Sequence, residues 1–114
     1  MAEISPEQVR ARVAKGKGYT LVLLKAGPNR DMDEARANQI QMAHLQYLFG
    51  LIEDGVILIN GPLRGNDTIR GISIYKSDDV EEVVRIASED PAVKAGRLIV
   101  EAYPWFSVPG ATLV

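Results

Sequence analysis

His44 is the only histidine in the chain, and imidazole is the one side chain that titrates near neutral pH without special surroundings. It lies in the segment from Asp33 to Asp54, whose apolar spacing predicts an amphipathic helix. At 100° per residue, His44 falls ~70° from the middle of the apolar stripe that runs from Leu45 to Ile52, which is the border of that stripe. Two interpretations stay open: a proton-transfer group that faces a pocket, or a packed residue whose ring nitrogens bond local carbonyls.

Asp90 is a candidate acid with two alternative roles. A nearby carboxylate would fix the tautomer of the imidazole and stabilise the imidazolium that forms when the ring takes up a proton. The alternative role is structural, because an aspartate before Pro91 is an ideal N-cap for a helix that starts with proline. One residue can serve both purposes. Glu101, on the last predicted strand, is the remaining candidate acid, and at a sheet edge it would be solvated.

Several other side chains are candidates for ligand binding, each with an ordinary structural alternative. Tyr47, one turn beyond His44, is either a pocket wall or a core residue. Ser88 is either a ligand donor or a common helix-terminal serine. The segment Gly61 to Gly65 can place backbone amides and Arg64 beside an anion, but it lacks the ending of a phosphate loop and is typical of a strand exit and turn. The candidate substrate-binding residues are Tyr47, Pro62, Leu63 and Ser88.

Six regular segments must position these residues. The predicted elements are a strand Tyr19–Lys25, a helix Asp33–Asp54, strands Val56–Asn60 and Ile69–Lys76 joined as a hairpin, a helix opened by a capping box of Asp78 and Glu81, and a strand Arg97–Tyr103. The second helix carries Val80, Val83, Val84 and Ile86 on its inner face and is broken by Pro91, after which one more helical turn reaches Gly96.

A leading helix precedes these segments. Ser5, Pro6 and Gln8 form a capping box with proline at the first helical position, and glycines 16 and 18 end the helix. Its apolar edge is narrow, so we expect it to dock on the surface of the domain. We therefore divide the chain into a helical extension, residues 1–18, and one α+β domain, residues 19–114.

The order βαββαβ predicts a ferredoxin-like fold, in which two helices cover one face of a four-stranded antiparallel sheet. A sheet with one open face should alternate apolar and polar residues, yet the first two predicted strands are apolar on both faces. The economical cover for the second face is the same face of another subunit. The sequence therefore predicts a homodimer with a pocket near the edges between sheet and helices.

The composition excludes several classes of protein. A length of 114 residues fits a single domain, and a formal net charge of −2 gives no basic excess for binding nucleic acid or acidic lipid. The absence of cysteine excludes disulfides and a cysteine nucleophile and is compatible with a reducing cytoplasm, where we expect the protein. We predict no signal peptide and no membrane-spanning segment.

Metal and cofactor motifs are also missing from the sequence. One histidine among scattered carboxylates gives no ligand spacing typical of a metal site, and flavin, nicotinamide and haem motifs are absent. If the protein is an enzyme, we expect it to work without a cofactor.

Three segments in order give the chain a family resemblance. They are Ala43–Leu48, which contains the histidine, Gly55–Leu63, a strand that ends in Gly-Pro-Leu, and Ser88–Gly96, which contains the Asp-Pro pair. A final strand then ends at Pro104-Trp105. Over the span from Tyr19 to Trp105 the chain resembles the YciI-related family.

That resemblance implies a dimeric α+β barrel and an active site built from a histidine and an aspartate, which correspond to His44 and Asp90. Some relatives are similar to enzymes of chlorinated-aromatic breakdown, and the same barrel hosts muconolactone isomerase-like and monooxygenase-like proteins. Two segments depart from the family pattern: the leading helix through Lys17, and the segment Asn29–Glu34, which could carry specificity.

Two functions follow as alternatives. The first is a cofactor-independent enzyme of the lyase or isomerase type, in which His44 moves a proton on a small organic acid or phenol-like substrate and Asp90 orients the imidazole. The second is a non-catalytic dimeric module that binds a small ligand or serves in assembly, with His44 as a structural residue.

Overall fold

The computed structural model describes residues 1–114 and contains four helices and four strands. In chain order these are α1 (Pro6–Ala14), β1 (Lys17–Ala26), α2 (Glu34–Glu53), β2 (Ile57–Pro62), β3 (Ile69–Tyr75), α3 (Val80–Ser88), α4 (Pro91–Lys94) and β4 (Leu98–Ser107). The strands form one antiparallel sheet in the order β2-β3-β1-β4. The predicted βαββαβ order and the α+β class are confirmed.

The cap of α1 is the predicted one, and α2 lies within its predicted bounds of Asp33 and Asp54. Ser5 and Gln8 close the capping box of α1, and Asp33 caps α2 by accepting the backbone N–H of Arg36. The third helix begins one residue later than predicted. Its N-cap is Asp79 rather than Asp78.

Ser77 explains that shift. Its hydroxyl accepts the backbone N–H of Asp79 and donates to the carboxylate of Glu82, while the Asp79 side chain accepts the Glu82 N–H. These three bonds fix the turn before α3 and place Val80 as its first helical residue.

Strands β1 and β4 are both longer than the sequence predicts. They pair from Lys17 opposite Ser107 to Ala26 opposite Leu98. The prediction ends β4 at Tyr103, before Pro104, which cannot donate a ladder hydrogen bond. The prediction is wrong because β4 is an edge strand, where a proline N can face away from the sheet without loss.

The core lies between one face of the sheet and the helices. Side chains alternate along β1, so that Val22 and Leu24 point toward the helices while Leu21 and Leu23 face the other side. The core cluster consists of Val22, Leu24, Leu48, Ile57, Tyr75, Val83 and Ala87. No element of the chain covers the second face, which we call the open face.

The open face is largely apolar. The pairing registers place on it Tyr19, Leu21, Leu23, Ile59, Ile72, Ile74, Ile99, Tyr103 and Trp105. Among them Lys25 pairs with Glu101, Nζ to Oε2 at 3.1 Å. The hydroxyl of Tyr103 donates to the same carboxylate. The hydrogen bond from Tyr103, and to a smaller extent the one from Lys25, holds the pKa of Glu101 below its ordinary value. Glu101 therefore lies on the open face, bonded to Lys25 and Tyr103, and it does not line the cavity beside His44.

Helix α1 does not dock on the domain, contrary to the prediction. Every one of its residues is exposed, including Val9 and Val13, which form its narrow apolar edge. Two valines give too little apolar area to hold a nine-residue helix against the sheet. The capping box and the proline at its first position instead stabilise the helix locally.

Helix α3 buries a narrower face than predicted. Val83 is fully buried and Ala87 nearly so, whereas Val84 keeps 37% of its surface exposed. Val84 lies 100° around the helix from Val83, and therefore at the edge of the buried face rather than on it.

This difference gives a matched test of the core. Val83→Ala should lower the free energy of unfolding by about 2 kcal/mol, because it opens a cavity in a closely packed cluster. Val84→Ala, the same change one residue away, should stay within about 0.5 kcal/mol of the wild type. Urea unfolding at one protein concentration measures both. Equal losses would contradict the placement of α3.

Candidate active site

His44 lies at the centre of the buried face of α2. The buried residues of that helix are Ile40, His44 and Leu48, four residues apart, and His44 keeps 8% of its surface exposed. The prediction that placed His44 at the border of the apolar stripe is wrong. The spacing of apolar residues does not predict the burial of a histidine, because a hydrogen bond to a polar partner is what allows the imidazole to be buried.

That partner is Asp90. Nδ1 of His44 lies 2.6 Å from Oδ2 of Asp90, and both side chains are buried. The carboxylate also caps α4, since its Oδ1 accepts the backbone N–H of Ala92 at 2.9 Å. Asp90 therefore serves both of the purposes that the sequence left open, one with each oxygen.

The pair fixes which ring nitrogen carries the proton. A carboxylate accepts hydrogen bonds and cannot donate them, so in a neutral ring the favoured tautomer has its proton on Nδ1 and a free lone pair on Nε2. The chain supplies no hydrogen-bond partner to Nε2. Because every buried side-chain nitrogen or oxygen does have a partner, Nε2 is not one of the buried atoms. Nε2 is therefore accessible from outside the core, which is the arrangement that a general base needs.

A cavity of about 250 Å³ adjoins the ring. At ~30 Å³ of liquid volume per water molecule, it has room for on the order of eight waters, which suits a small ligand. Its walls come from the sheet, from α2 and from α4, and the lining includes Leu24, His44, Leu45, Leu48, Asn60, Pro62, Leu63, Ala92 and Leu98. Asn60 is held in place by the hydroxyl of Ser73, which donates to its side-chain oxygen at 2.7 Å.

Three arginines complete the lining: Arg30, Arg70 and Arg97. Arg30 lies in the loop after β1, Arg70 in β3, and Arg97 directly before β4. Burial lowers the pKa of the Arg30 guanidinium, and the charges of Arg97 and Arg70 lower it further. No aspartate or glutamate lines the cavity.

Backbone bonds hold the loop that carries Arg30. The N–H of Gly27 donates to the carbonyl of Arg97, and the N–H of Asn29 donates to the carbonyl of Gly96. A side chain at position 27 would collide with the carbonyl oxygen of Gly96, so the close approach of the two backbones requires glycine at position 27. Nη1 of Arg30 also donates to the Arg97 carbonyl, at 2.5 Å. The loop is therefore fixed against the start of β4.

Of the four predicted substrate-binding residues, Pro62 and Leu63 line the cavity and two others do not. Tyr47 points to α3, where its hydroxyl donates to the carbonyl of Ile86 at 2.7 Å. Burial raises the pKa of Tyr47, as do the charges of Glu89 and Asp90. It ties α2 to α3. Ser88 is half-buried at the end of α3 and likewise does not line the cavity.

The sequence did not identify the three cavity arginines. It drew attention instead to Arg64, which is exposed in the β2–β3 turn and does not line the cavity. The segment Asn29–Glu34 was noted for specificity, and Arg30 lies in it. For Arg70 and Arg97 the sequence holds no signal, since only the strand pairing brings these two residues, 27 positions apart, to one cavity.

Two further structural findings concern metals and membranes. No group of three or more histidine, cysteine, aspartate or glutamate side chains is placed to hold a metal ion. None of the helices combines the length and the apolar character needed to span a bilayer.

Comparison with known proteins agrees with this architecture. No curated protein sequence matches the chain significantly. Among solved structures, the chain is similar to 5-chloro-2-hydroxyhydroquinone dehydrochlorinase from Burkholderia phenoliruptrix, solved in complex with 2,5-dihydroxybenzoquinone. The two are 25% identical, with a TM-score of 0.53, and the match covers 75% of this chain and 92% of that one. The family model of the YCII-related domain matches residues 19–106, most of the chain. The protein therefore belongs to the YCII-related family.

Proposed function

We propose that the protein is a cofactor-independent enzyme of the lyase or isomerase type, in which His44 transfers a proton on a small organic substrate and Asp90 positions the imidazole. The observation that carries this proposal is the 2.6 Å contact between Nδ1 and the Asp90 carboxylate, with Nε2 open to a cavity. A base that is oriented by a buried acid and faces a ligand-sized space is a typical proton-transfer arrangement.

The reaction would begin when Nε2 takes a proton from a carbon or oxygen of the substrate. The positive charge that then develops on the ring is stabilised by Asp90, whose second oxygen stays bonded to the Ala92 N–H. In an isomerase the imidazolium returns the proton to another substrate atom. In a lyase the electron pair left behind expels a leaving group, and the proton passes to solvent. Neither route needs an electron carrier or a metal ion.

The similar dehydrochlorinase supports the lyase form of the proposal. Its name describes the loss of hydrogen and chlorine from a chlorinated hydroxyhydroquinone. Such a loss is balanced when a base removes a proton and chloride leaves with the electron pair of its bond. This is the chemistry for which a single oriented imidazole suffices.

A binding module without catalysis is the alternative, and the double role of Asp90 favours it. An aspartate that caps α4 and satisfies a buried imidazole would be needed for packing even if no proton moved. The two functions differ in what variants of His44 change: turnover in the enzyme, and only stability in the module.

Deuterium exchange tests the enzyme. In D2O, a panel of small organic acids and phenols that includes 5-chloro-2-hydroxyhydroquinone should show enzyme-dependent exchange of a carbon-bound proton, or chloride release. His44→Gln should slow that reaction at least about a hundredfold, because it removes the general base. NMR follows exchange, and a chloride electrode follows release.

Tyr47→Phe is the matched control. It lies one turn from His44 and loses its bond to α3, so it should lower the melting temperature and leave the rate near that of the wild type. A His44→Gln variant that turns over normally, or a panel with no reaction at all, would contradict the enzyme and leave the binding module.

The tautomer of His44 can be measured directly. At a pH where the ring is neutral, ¹⁵N chemical shifts should show the proton on Nδ1, because Asp90 accepts from that nitrogen. Asp90→Ser keeps a capping oxygen for the Ala92 N–H but is too short to reach the ring. In that variant the proton should move largely to Nε2. A wild-type ring protonated on Nε2 would show that the pair does not orient the base.

We propose further that two copies associate through the open face. The face carries more than half a dozen large apolar side chains, and Ile99, Tyr103 and Trp105 each leave more than 40% of their surface in water. Monomeric proteins rarely leave such a patch uncovered. A symmetric pair of sheets would bury it against itself. The cytoplasmic location stays a prediction.

Light scattering after gel filtration tests the association. The wild-type mass should be about twice the 12.5 kDa of one chain. Leu23→Lys should shift the protein to the monomer, because it places a charge in the centre of the open face. The variant should still fold, because Glu101 lies opposite this position on β4 and can pair with the new charge. Phe49→Lys, a similar change at an exposed position of α2, should not alter the mass. A monomeric wild type would contradict the proposal.

A further inference from the structure

The cavity beside His44 carries positive charge that the chain does not balance. Arg30, Arg70 and Arg97 all line it. The ion pairs of the protein are Lys25–Glu101, His44–Asp90 and Lys94–Glu89, so none of the three guanidinium groups has a carboxylate within 4.0 Å. Like charges gathered around a small space repel one another, and the chain offers nothing there to offset the repulsion.

The arrangement is nevertheless held in place by the fold. The loop of Arg30 is bonded to residues 95–97 through the backbone of Gly27 and Asn29 and through the amide of Asn29, which donates to the Ala95 carbonyl. The side chains of Arg70 and Arg97 make no hydrogen bond within the chain and are free to bind a ligand. The fold thus fixes the loop of Arg30, while Arg70 and Arg97 keep all their side-chain donors for a ligand.

The lining also has an apolar part, formed by Leu24, Leu45, Leu48, Leu63, Ala92 and Leu98. A bare inorganic anion would leave these side chains facing water. The cavity instead fits a molecule with an apolar carbon skeleton and a negatively charged group at one end. Arginine recognises carboxylates through two parallel hydrogen bonds.

We infer that the substrate of this site is a small organic carboxylate, anchored by Arg30, Arg70 and Arg97 so that its skeleton lies on the leucine wall beside Nε2 of His44. This deepens the proposed function and rests on it for the choice of cavity. The arginines would fix the orientation of the substrate, and a guanidinium next to a carbanion or enolate would stabilise the charge that forms when His44 takes the proton.

Benzoate and benzamide are matched probes, since they share one shape and differ in charge. His44 is the only histidine, so its ring protons give isolated NMR signals that report directly on the cavity. Titration with benzoate should move these signals along a saturable curve. Benzamide should bind at least about tenfold more weakly, because it offers the guanidinium groups no charge.

Arg70→Gln and Arg97→Gln test the anchor, because each removes a charge without breaking a bond in the chain. Each should weaken benzoate roughly tenfold, and the affinity of the wild type should fall as salt is added. Arg64→Gln, an arginine in the nearby turn that does not line the cavity, should leave benzoate unchanged. Inorganic phosphate should compete only weakly.

Three results would overturn the inference: equal affinities for benzoate and benzamide, a loss in Arg64→Gln as large as in Arg97→Gln, or phosphate that binds more tightly than benzoate. The titration involves no turnover, so its outcome is separate from that of the exchange assay. An enzyme that exchanges protons on neutral phenols but ignores benzoate would keep the proposed function and lose this substrate class. A chain that binds benzoate but exchanges no proton on any substrate would keep the carboxylate site and lose the proposed enzymatic function.

Discussion

The carboxylate of Asp90 is the point on which the site depends. One oxygen caps α4 by accepting the Ala92 N–H, and the other reaches α2 through His44. Two elements far apart in sequence are thereby joined by a single buried group. Breaking either bond would leave a polar atom unpaired in the core, which costs more than the bond itself contributes. The position of the imidazole is thus a consequence of how α4 is capped.

That constraint extends to the far wall of the cavity. Helix α4 is one turn long, and Gly96, just after its C-cap Ala95, adopts a positive φ of 77°. The chain then turns back so that the Arg97 N–H bonds the Ala92 carbonyl, and β4 begins. The loop after β1 is bonded to the same turn. From Asp90 to Arg97, eight consecutive residues therefore orient the imidazole, close one end of the cavity and place a guanidinium in its wall.

Much of this could be predicted from the sequence, and the failures have physical causes. The strands, the helices and their order follow from period and turn residues. The His44–Asp90 pair came from a family resemblance, because 46 positions separate the two residues. The burial of His44 was underestimated, since a hydrophobic pattern scores imidazole as polar whatever its partner. The sequence predicts too early an end for β4, because only the assembled sheet shows that this strand lies at an edge, where proline is tolerated. The sequence does not identify the three cavity arginines, because strand pairing brings them together and no local motif marks them.

The structure also separates the proposed general base from the arginines that are proposed to select the substrate. His44 and Asp90 are buried and bonded to each other, so replacing either one disturbs the core. Arg30 and Arg70 are exposed at the cavity, and only Arg30 makes a bond within the chain. A change at these positions alters the charge of the cavity at little cost in stability. Under the proposed function, such a protein can acquire a new substrate while it keeps its base, because the arginines proposed for recognition lie in a loop and on a strand surface that the core does not require. The segment Asn29–Glu34 contains one of these arginines, so a change in that segment would leave the reaction proposed for the imidazole the same.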